Sequence, residues 1–477
     1  MATIWWIRKD LRLHDNPALH FAVEKGEPII PLYIFSPADE AEWEIGGASR
    51  WWLHESLQRL GESLKEKYNS RLILRRGPSL TAIEKILRET GANNVVWNRR
   101  YEPHAIESDS EIKSKLIARG LDCHSFNALL LREPWEVKKG DGSPYKVYTP
   151  YMKASWASAD PAAPLPTPER MPAPEVWPHS LQLDEFALKP KIEWDKGFRE
   201  VWEPGEAGAL ARLKKFSGAS AKAYHETRNL PGAKTSTSRL SPHLHFGELS
   251  PRLVWKVLKG NKAPADLSEG SKTFINEVIW RDFAYQLFYF FPKLDREPLQ
   301  KNFESFPWVK DAALLKAWTR GQTGYPIVDA GMRELWLTGW MHNRVRMIVA
   351  SFLVKDLLIS WREGAAWFWD TLVDADLAQN SFNWQWVAGC GADAAPFFRI
   401  FNPVLQGEKF DPDGDYVRRW VPELGGLPNR LIHKPWEAGA NFLQVAGVEL
   451  GVNYPRPIVD HDRARLRALA VLKGLAK

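Results

Sequence analysis

Ionisable and amide side chains interrupt an otherwise apolar segment at residues 338–410. Arg346, Asp374, Asp376 and Asn380 stand there among tryptophans and aliphatic residues. Each buried polar group needs a compensating partner, so a plain hydrophobic core explains this mixture poorly. A flat, polar and partly charged ligand would supply the partners. The segment therefore predicts the floor of a cofactor cavity.

The two aspartates gain weight from their neighbours. Asp374 and Asp376 alone form a weak signal, because Asp-x-Asp also occurs in metal-binding loops and helix caps. Arg346 lies in the same segment and is a natural partner for a buried carboxylate. Asn380 adds an uncharged donor and acceptor. These neighbours favour a ligand-binding role for the pair.

A run of hydroxyl groups precedes a helical segment at residues 235–241. The run Thr-Ser-Thr-Ser-Arg-Leu-Ser offers several hydroxyls and one guanidinium beside a helix N-terminus, a combination that suits a pyrophosphate. A capped loop without a ligand is an equally good interpretation of the run alone. His243 and His245 follow, but no carboxylate or cysteine is spaced to complete a metal site with them, so we expect them to be structural.

One helix face in the segment 269–291 combines an acid, an indole and a guanidinium. Glu277, Trp280 and Arg281 are spaced i, i+3 and i+4, so they share that face. Such a face could be a stacking platform with polar contacts for a nucleic-acid base. A solvated, salt-bridged face is the competing interpretation.

The elements that must position these residues fall into two groups. In the first, short apolar runs alternate with helical segments, which predicts a parallel sheet covered by helices on both faces. The predicted strands are residues 3–7, 28–35, 71–74, 94–97 and 121–126. The first predicted helix begins at Asp15-Asn16-Pro17. The others span residues 49–64, 79–88, with Ser79 as the cap, and 108–118. This is a Rossmann-like α/β fold. It lacks a Gly-x-Gly-x-x-Gly fingerprint and a Walker loop, so a dinucleotide bound in the usual way is disfavoured there.

Proline marks the change to the second group. Seven prolines fall between Pro161 and Pro178, too many for a helix or a central strand, which predicts a wrapping linker. Helical periodicity then dominates, with predicted helices at residues 207–216, 251–259, 269–291, 312–319, 327–338, 344–358 and 363–372. The expected organisation is an α/β domain at residues 1–130, a linker at 131–205 and an all-α domain at 206–477.

Composition narrows the function classes. The chain of 477 residues carries a formal charge of +6 and 24 tryptophans, and its only cysteines are Cys123 and Cys390. Two distant cysteines cannot supply a cysteine-only zinc site or an iron–sulfur cluster, and no apolar run reaches the roughly 18 residues of a membrane span. The charge allows an anionic partner without requiring one. We expect a cytoplasmic monomer with no metal and no membrane contact.

Several motifs resemble those of the DNA photolyase/cryptochrome family, in order and over nearly the whole chain. They are Trp6-Ile-Arg-Lys-Asp10-Leu-Arg with Asp15-Asn-Pro-Ala-Leu19, Thr237-Ser-Arg-Leu-Ser241-Pro, Glu277-Val-Ile-Trp-Arg281, Thr323-Gly-Tyr-Pro-Ile-Val-Asp329-Ala, Trp340-Met-His-Asn-Arg-Val-Arg346-Met, and the stretch from Asp374-Ala-Asp376 through Phe401-Asn-Pro403. Their combination is highly specific. The resemblance implies an N-terminal α/β antenna domain and a C-terminal α-helical domain that binds FAD, in agreement with the division above.

The resemblance also implies which residues hold FAD. The cofactor-binding positions carried over are Tyr224, Thr237, Ser238, Arg239, Leu240, Ser241, Asn343, Arg346, Asp374, Ala375, Asp376 and Asn380. The tyrosine and the hydroxyl run would contact the phosphates and the ribityl chain. The arginine and the two aspartates would hold the flavin, and the second asparagine would face its N5 edge.

For a photolyase of this family the implied reaction is driven by light. Excited reduced FAD donates an electron to a pyrimidine dimer flipped out of UV-damaged DNA, the dimer splits, and the electron returns. The implied catalytic residues are Asn380, Glu277 and Met347, and the implied DNA- and substrate-binding residues are Arg228, Glu277, Trp280, Arg281, Arg344, Trp386 and Arg399. The implied electron relay is Trp384, Trp361 and Trp308, and Trp340 and Trp336 leave room for a second relay.

Repair of cyclobutane dimers is favoured over three alternatives. Family members that repair the (6–4) lesion carry histidines at the positions of Asn343 and Met347. The main alternative is a cryptochrome, a blue-light photoreceptor with FAD and little repair. Plant-type cryptochromes usually have an acid at the position of Asn380 and often a long C-terminal extension, and this chain shows neither. The last alternative is a non-catalytic nucleic-acid-binding flavoprotein.

A second, antenna chromophore is common in the family. It is often a methenyltetrahydrofolate or an 8-hydroxydeazaflavin. The Asn-Glu pair that contacts the folate in some members appears here as His104-Ala105, after Tyr101-Glu-Pro103. This departure argues against the folate, and the choice between chromophores stays open at the level of sequence.

Overall fold

Five short strands form one parallel sheet in the N-terminal part of the chain. The computed structural model describes residues 2–40, 42–233, 235–394, 396–397 and 399–475. The sheet has the order β3-β2-β1-β4-β5, with Thr3 paired to both Ile29 and Asn94. Its strands are β1 (Thr3–Ile7), β2 (Ile29–Phe35), β3 (Ile73–Arg76), β4 (Asn94–Asn98) and β5 (Asp122–Phe126). The predicted α/β fold is confirmed, with strand bounds that differ from the prediction by at most two residues.

Four helices cover this sheet, and their starts follow local rules. Asn16 caps the first, accepting a hydrogen bond from the Leu19 N–H at 3.1 Å, and Pro17 occupies the first turn, as predicted. Two details were wrong. Ser79 is not a cap but the first residue of its helix, where its N–H donates to Asp39. The fourth helix begins five residues earlier than predicted. The helices are α1 (Pro17–Glu24), α2 (Gly47–Tyr68), α3 (Ser79–Thr90) and α4 (Pro103–Ile117).

The proline-rich segment wraps around the sheet layer. Residues 158–182 contain neither helix nor strand. The Ile29 N–H donates to the Pro172 carbonyl at 2.8 Å and the Leu181 N–H to the Leu74 carbonyl at 3.0 Å. These contacts fix the segment against strands β2 and β3. Two helices flank it that the sequence interpretation had not identified, α5 (Tyr148–Ala157) and α6 (Lys196–Val201).

The remaining chain is helical. One predicted helix, at residues 344–358, ends early: Ser351 closes it, a π-helical turn occupies Phe352–Asp356, and Leu358 adopts a positive φ of 56°. A π turn accommodates one extra residue per turn, which apolar periodicity does not reveal. The α-helices are α7 (Glu206–Phe216), α8 (Ala219–Thr227), α9 (Ser241–His245), α10 (Pro251–Lys259), α11 (Glu269–Phe290), α12 (Ala312–Thr319), α13 (Pro326–Thr338), α14 (Asn343–Ser351), α15 (Trp361–Thr371), α16 (Leu377–Ala388), α17 (Pro403–Phe410), α18 (Asp415–Trp420), α19 (Asn429–Ile432), α20 (Ala440–Ala446) and α21 (His461–Leu475).

A buried arginine joins the two halves. Arg12, which follows β1, donates to the carbonyl of Gly247 at 2.8 Å and to that of Ala128 at 2.9 Å. Gly247 has a φ of +65°, and a Cβ placed there would lie 1.9 Å from the Lys9 carbonyl oxygen. Only glycine fits such an approach. The contact fixes the end of α9 against the loop after β1.

The described residues do not meet the requirements of a membrane-spanning helix, a metal site of three or more ligands, or a disulfide. Within the described ranges, no helix has the length and apolar character needed to cross a membrane. Over the same ranges, no group of three or more His, Cys, Asp or Glu side chains is arranged to hold a metal ion. Cys123 and Cys390 are both buried and free.

Asp282 on α11 makes stability depend on pH. Burial, only partly opposed by Arg281 and by the N–H of Arg132, raises the pKa of Asp282 to about 7. The folded protein therefore keeps a proton that the unfolded chain releases near pH 4, so the free energy of unfolding falls as pH rises between those values. Asparagine cannot titrate, so the free energy of unfolding of Asp282→Asn should not show this fall. Relative to wild type, we expect it to rise by roughly 1–3 kcal/mol between pH 5 and pH 8.

Urea unfolding of both proteins at the two pH values measures this gain. Asp413→Asn, at an exposed position, is the matched control and should show none. If the difference in unfolding free energy between Asp282→Asn and wild type were the same at both pH values, Asp282 would be ionised in the folded protein over this whole range.

Candidate functional site

A cavity of about 500 Å³ lies within the helical half. Its walls come from α9, α11, α14, α16 and the turn before α16. The structure brings together many of the residues singled out in the sequence. Those that line the cavity are Arg228, Ser238, Leu240, Ser241, Glu277, Trp280, Arg281, Asn343, Arg344, Arg346, Met347, Asp374, Ala375, Asp376, Asn380, Trp384 and Trp386.

Asp374 is the centre of a hydrogen-bond network on the cavity wall. Nη2 of Arg346 lies 2.9 and 3.1 Å from its two carboxylate oxygens, and the Ser241 hydroxyl donates to it at 2.6 Å. Nε of the same guanidinium donates to the Met341 carbonyl at 2.8 Å. The network fixes the arginine and joins the hydroxyl run to the aspartate pair, 133 residues away in sequence.

Asp376 is buried beside the same cavity and caps α16. Its carboxylate accepts hydrogen bonds from the Gln379 N–H at 3.0 Å and from the Tyr285 hydroxyl at 2.5 Å. Burial raises the pKa of this carboxyl, but hydrogen bonding and charge from His245, followed by the charge of Arg281, outweigh it and lower the pKa to about 2. Asp376 therefore presents a fixed negative charge to any N–H donor of a ligand at neutral pH.

Several guanidinium groups lie near the buried imidazole of His342. His342 is buried, and its Nε2 has no hydrogen-bond partner among the described residues. Burial lowers the pKa of this imidazole to about 3, and arginines reinforce the effect: Arg344, Arg346, Arg239 and Arg228. Arg228, Arg344 and Arg346 of this set also line the cavity, so its wall carries positive charge that suits a bound anion such as a diphosphate.

One part of the cavity wall carries a glutamate–arginine ion pair and two indoles. Glu277 lies 2.5 Å from Arg228, and burial raises the pKa of this glutamate although the guanidinium opposes it. Trp280 stacks on Tyr148 with ring centroids 3.4 Å apart and an interplanar angle of 9°. One face of that indole is thus covered by α5, which the sequence interpretation missed. Trp386, on α16, is half-buried at the same cavity.

Three arginines predicted to contact DNA have different environments. Arg281 is 8% exposed and donates to the carbonyls of Leu129 and Leu244, so it lines the cavity without reaching the outer surface. Arg344 donates to the Asn229 side chain at 2.9 Å at the rim of the cavity. Arg399 is exposed and lies outside the cavity lining. Its neighbour in sequence, Phe398, lies outside the described residues.

Three predicted cofactor contacts also stand apart from the cavity lining. Tyr224 is buried against Phe274, which does line the cavity. Arg239 has a positive φ of 53° and stacks over the Trp340 ring at 4.8 Å. Thr237 is half-buried in the hydroxyl run. These residues surround the cavity without facing it in this structure.

Sequence comparison decides the family. A DNA photolyase model matches residues 3–172, and a model of the FAD binding domain of DNA photolyase matches residues 274–474. The chain belongs to the DNA photolyase/cryptochrome family. A deoxyribodipyrimidine photo-lyase of Agrobacterium fabrum is 53% identical over 99% of this chain and 98% of its own length. Cryptochrome-2 of Arabidopsis thaliana is 40% identical over 97% of this chain and 77% of its own.

Solved structures agree with this family assignment. A bacterial class III photolyase from Agrobacterium tumefaciens has a TM-score of 0.95 at 52% identity, covering all of this chain and 98% of that one. An archaeal photolyase from Sulfolobus tokodaii, solved with two FAD molecules, has a TM-score of 0.83 at 29% identity, covering 99% of this chain and all of that one. The α/β and all-α parts of the fold are therefore those of the family.

The predicted relay tryptophans share one core. Trp361 and Trp384 are buried in the same apolar cluster, and Trp308 packs against it. A Cβ on Gly364 would lie 2.1 Å from the Trp384 ring, so α15 meets that indole one turn after Trp361 on the same face. The Val309 N–H donates to the Leu358 carbonyl at 2.8 Å. This bond holds Trp308 beside the chain that leads into α15.

The two tryptophans noted for a second relay lie in different surroundings. Trp340 donates from Nε1 to the Ser241 hydroxyl at 3.3 Å, next to the cavity. Trp336 is 48% exposed and stacks on Trp367, with ring centroids 6.2 Å apart and an interplanar angle of 11°. The first is therefore close to the cavity and the second lies at the surface.

A second, smaller cavity of about 100 Å³ lies at the carboxyl ends of β1 and β2. Trp6, Tyr33 and Trp43 supply aromatic walls, and Glu40 supplies a carboxylate. Arg100 pairs with that carboxylate at 2.6 Å. His245 and Ala375 line this cavity and the larger one, so they form the wall between the two. No sequence signal had indicated that His245 lies between two cavities.

Proposed function

We propose that this protein is a deoxyribodipyrimidine photolyase that uses light to split cyclobutane pyrimidine dimers in UV-damaged DNA. One observation carries the proposal: a single cavity is lined both by the polar groups that suit FAD and by the indoles and acid that suit a flipped-out dimer. A ligand at each end would lie close to the other. Close approach of donor and acceptor is what electron-transfer repair requires.

The donor set of the cavity fits FAD. Arg346, Asp374 and Asp376 would hold the flavin ring, Ser238 and Ser241 with the nearby guanidinium groups would hold the phosphates, and Asn380 would face the ring. Nδ2 of Asn380 donates to the Ala365 carbonyl at 2.9 Å, which orients the rest of its amide toward the cavity. Reduced FAD supplies a light-absorbing electron donor when bound.

The protein's own groups would bind and orient the lesion. Trp280, backed by Tyr148, offers one indole face, and Trp386 offers a second aromatic surface for a dimer to stack on. Burial raises the pKa of Glu277, so its protonated form, which can donate a hydrogen bond to a pyrimidine carbonyl, is more populated than in water. Met347 would fill the apolar side of the same pocket.

Illumination of the reduced, purified protein with a dimer-containing oligonucleotide tests the proposal. Recovery of normal thymines in the light, and none in the dark, is expected. A cryptochrome that signals without repair is the second candidate, because cryptochromes of 39–40% identity are among the relatives. That candidate and a non-catalytic nucleic-acid-binding flavoprotein both give no recovery of thymines.

Trp386→Ala is expected to weaken binding to dimer-containing DNA by roughly 1–3 kcal/mol, the usual contribution of stacking between a base and an aromatic ring. Affinity for an undamaged duplex should change little, because its bases stay stacked. Titration of fluorescent damaged and undamaged duplexes measures both values. Trp135→Ala removes an indole that is 37% exposed away from the large cavity and is the matched control. Equal affinities for damaged DNA in wild type and Trp386→Ala would remove Trp386 from the pocket.

The second cavity supports an antenna chromophore. Its aromatic walls suit a conjugated ring, and the shared wall of His245 and Ala375 would keep that ring close to the flavin. His104, at the position of the folate contact, instead lies 3.3 Å from Glu40, which favours a chromophore other than methenyltetrahydrofolate, such as 8-hydroxydeazaflavin. The absorption spectrum of protein purified under dim light distinguishes the two and the flavin-only form.

Three further properties are part of the proposal. The domain limits are 1–130, 131–205 and 206–477, the protein is a monomer, and it acts in the cytoplasm. Sedimentation at several concentrations tests the monomer, and limited proteolysis within residues 158–182, which lack regular structure, tests the linker.

A further inference from the structure

A buried lysine occupies the π-helical turn Phe352–Asp356. Lys355 is 1% exposed, and its Nζ donates to the carbonyl oxygen of Arg399 at 2.8 Å. The ring of Phe397 lies 5.5 Å from Nζ. Removing an ammonium group from water is costly. A methionine would fill nearly the same space without that cost, so the charge calls for an explanation.

The nearest carboxylate does not supply that explanation. Asp356 follows Lys355 in the turn, but its Oδ1 lies 2.5 Å from Nδ1 of His461 on α21. Burial lowers the pKa of Lys355 to about 8; Asp356 opposes the shift and Arg399 adds to it. The ammonium and the Arg399 guanidinium are thus close enough to repel each other. The repulsion between two neighbouring cations falls when an anion binds to the exposed one.

The carbonyl that Lys355 holds belongs to the connection between α16 and α17. This connection is also fixed toward each end. The Tyr148 N–H donates to the Asp393 carboxylate at 3.2 Å, and the Phe401 N–H donates to the Ser351 hydroxyl at 3.3 Å. Between these points Lys355 holds the carbonyl of Arg399, whose side chain reaches solvent. The helix before the connection carries Trp386, at the mouth of the large cavity.

We propose that Lys355 is a positioning residue for DNA binding, whose ammonium holds the backbone of Arg399 so that the exposed guanidinium meets a phosphate of the damaged strand. The inference rests on the proposed function. Lys355 does not touch the DNA. It acts through the backbone of Arg399, and its charge makes the hydrogen bond to that carbonyl stronger than one from a neutral donor.

The salt dependence of DNA binding tests this role. Each phosphate neutralised by a protein cation contributes about −0.9 to the slope of log K against log salt concentration. We expect Lys355→Met and Arg399→Ala each to make the slope shallower by about 0.9, and the double variant to match either single variant. Lys355→Arg, which keeps a cationic donor, should retain the wild-type slope. Flavin content and melting temperature identify variants that are folded.

Several outcomes would overturn the inference. A wild-type slope in folded Lys355→Met, or a double variant that loses twice the slope of either single variant, would show that the two residues act independently. Arg399→Ala keeps the test decisive if Lys355→Met does not fold, because an unchanged slope in Arg399→Ala removes the phosphate contact itself. Failure of the proposed function has a different signature: wild-type protein would then fail to distinguish damaged from undamaged duplex and would restore no thymines.

Discussion

Asp374→Asn is expected to yield protein that no longer retains flavin and that unfolds more easily. The Asp374 carboxylate is the shared acceptor of Arg346 and the Ser241 hydroxyl. An asparagine would leave the half-buried guanidinium without its charge partner, a change that costs about 3–5 kcal/mol where the ion pair is fully buried. Because the Arg346 side chain is 24% exposed, we expect the lower end of that range. The ratio of flavin to protein absorbance after purification, and urea unfolding, measure the two effects.

Asp370→Asn is the matched control for that substitution. Asp370 also lies near the end of α15 and accepts a hydrogen bond, from the Gly47 N–H at 2.8 Å, but it does not line the cavity. Its variant should retain flavin at the wild-type ratio. If Asp374→Asn did so as well, the cavity wall around Arg346 would not be the flavin-binding surface.

Local sequence rules predicted the sheet well because its signals are local. Strands β1 and β2 are buried apolar runs, and the Asn16-Pro17 pair begins α1 by capping and by the fixed φ of proline. The π turn at Phe352–Asp356 had no such signal. Its residues follow α14 in apolar periodicity, and the turn is stabilised by contacts with distant segments, including His461 on α21. Helix α5 was missed for a similar reason, since it is fixed by α11.

The candidate site divides in the same way. Side-chain chemistry and spacing predicted that Glu277 and Trp280 share a face, and both line the cavity. Arg281, one residue on, also lines the cavity. Spacing could not predict that its guanidinium donates to the Leu129 carbonyl. It also could not predict the Tyr148 ring stacked on Trp280, because α5 lies more than a hundred residues earlier in the chain. Contacts between distant segments decide which polar residues of a motif face a ligand.

Trp361→Phe is expected to slow the light-driven reduction of oxidised flavin by about tenfold or more, equivalent to at least about 1.4 kcal/mol of activation free energy. Repair by enzyme reduced chemically beforehand should stay near the wild-type rate. The indole is 1% exposed and lies in the apolar cluster that contains Trp384, which lines the cavity, and against which Trp308 packs. Phenylalanine keeps an aromatic ring there but is much harder to oxidise. Flavin absorbance under illumination with an external reductant gives the first rate, and thymine recovery gives the second.

A control substitution at a second buried indole distinguishes an effect on electron transfer from an effect on packing. Trp5→Phe removes the same volume from the core of the α/β part, where Trp5 is fully buried. Both substitutions leave a small cavity and should lower stability to a similar degree, but only the change at Trp361 should slow flavin reduction. Equal slowing in both variants would assign the effect to general destabilisation. Loss of reduction and repair together in Trp361→Phe would place this indole in the catalytic pocket, although it does not line the cavity in this structure.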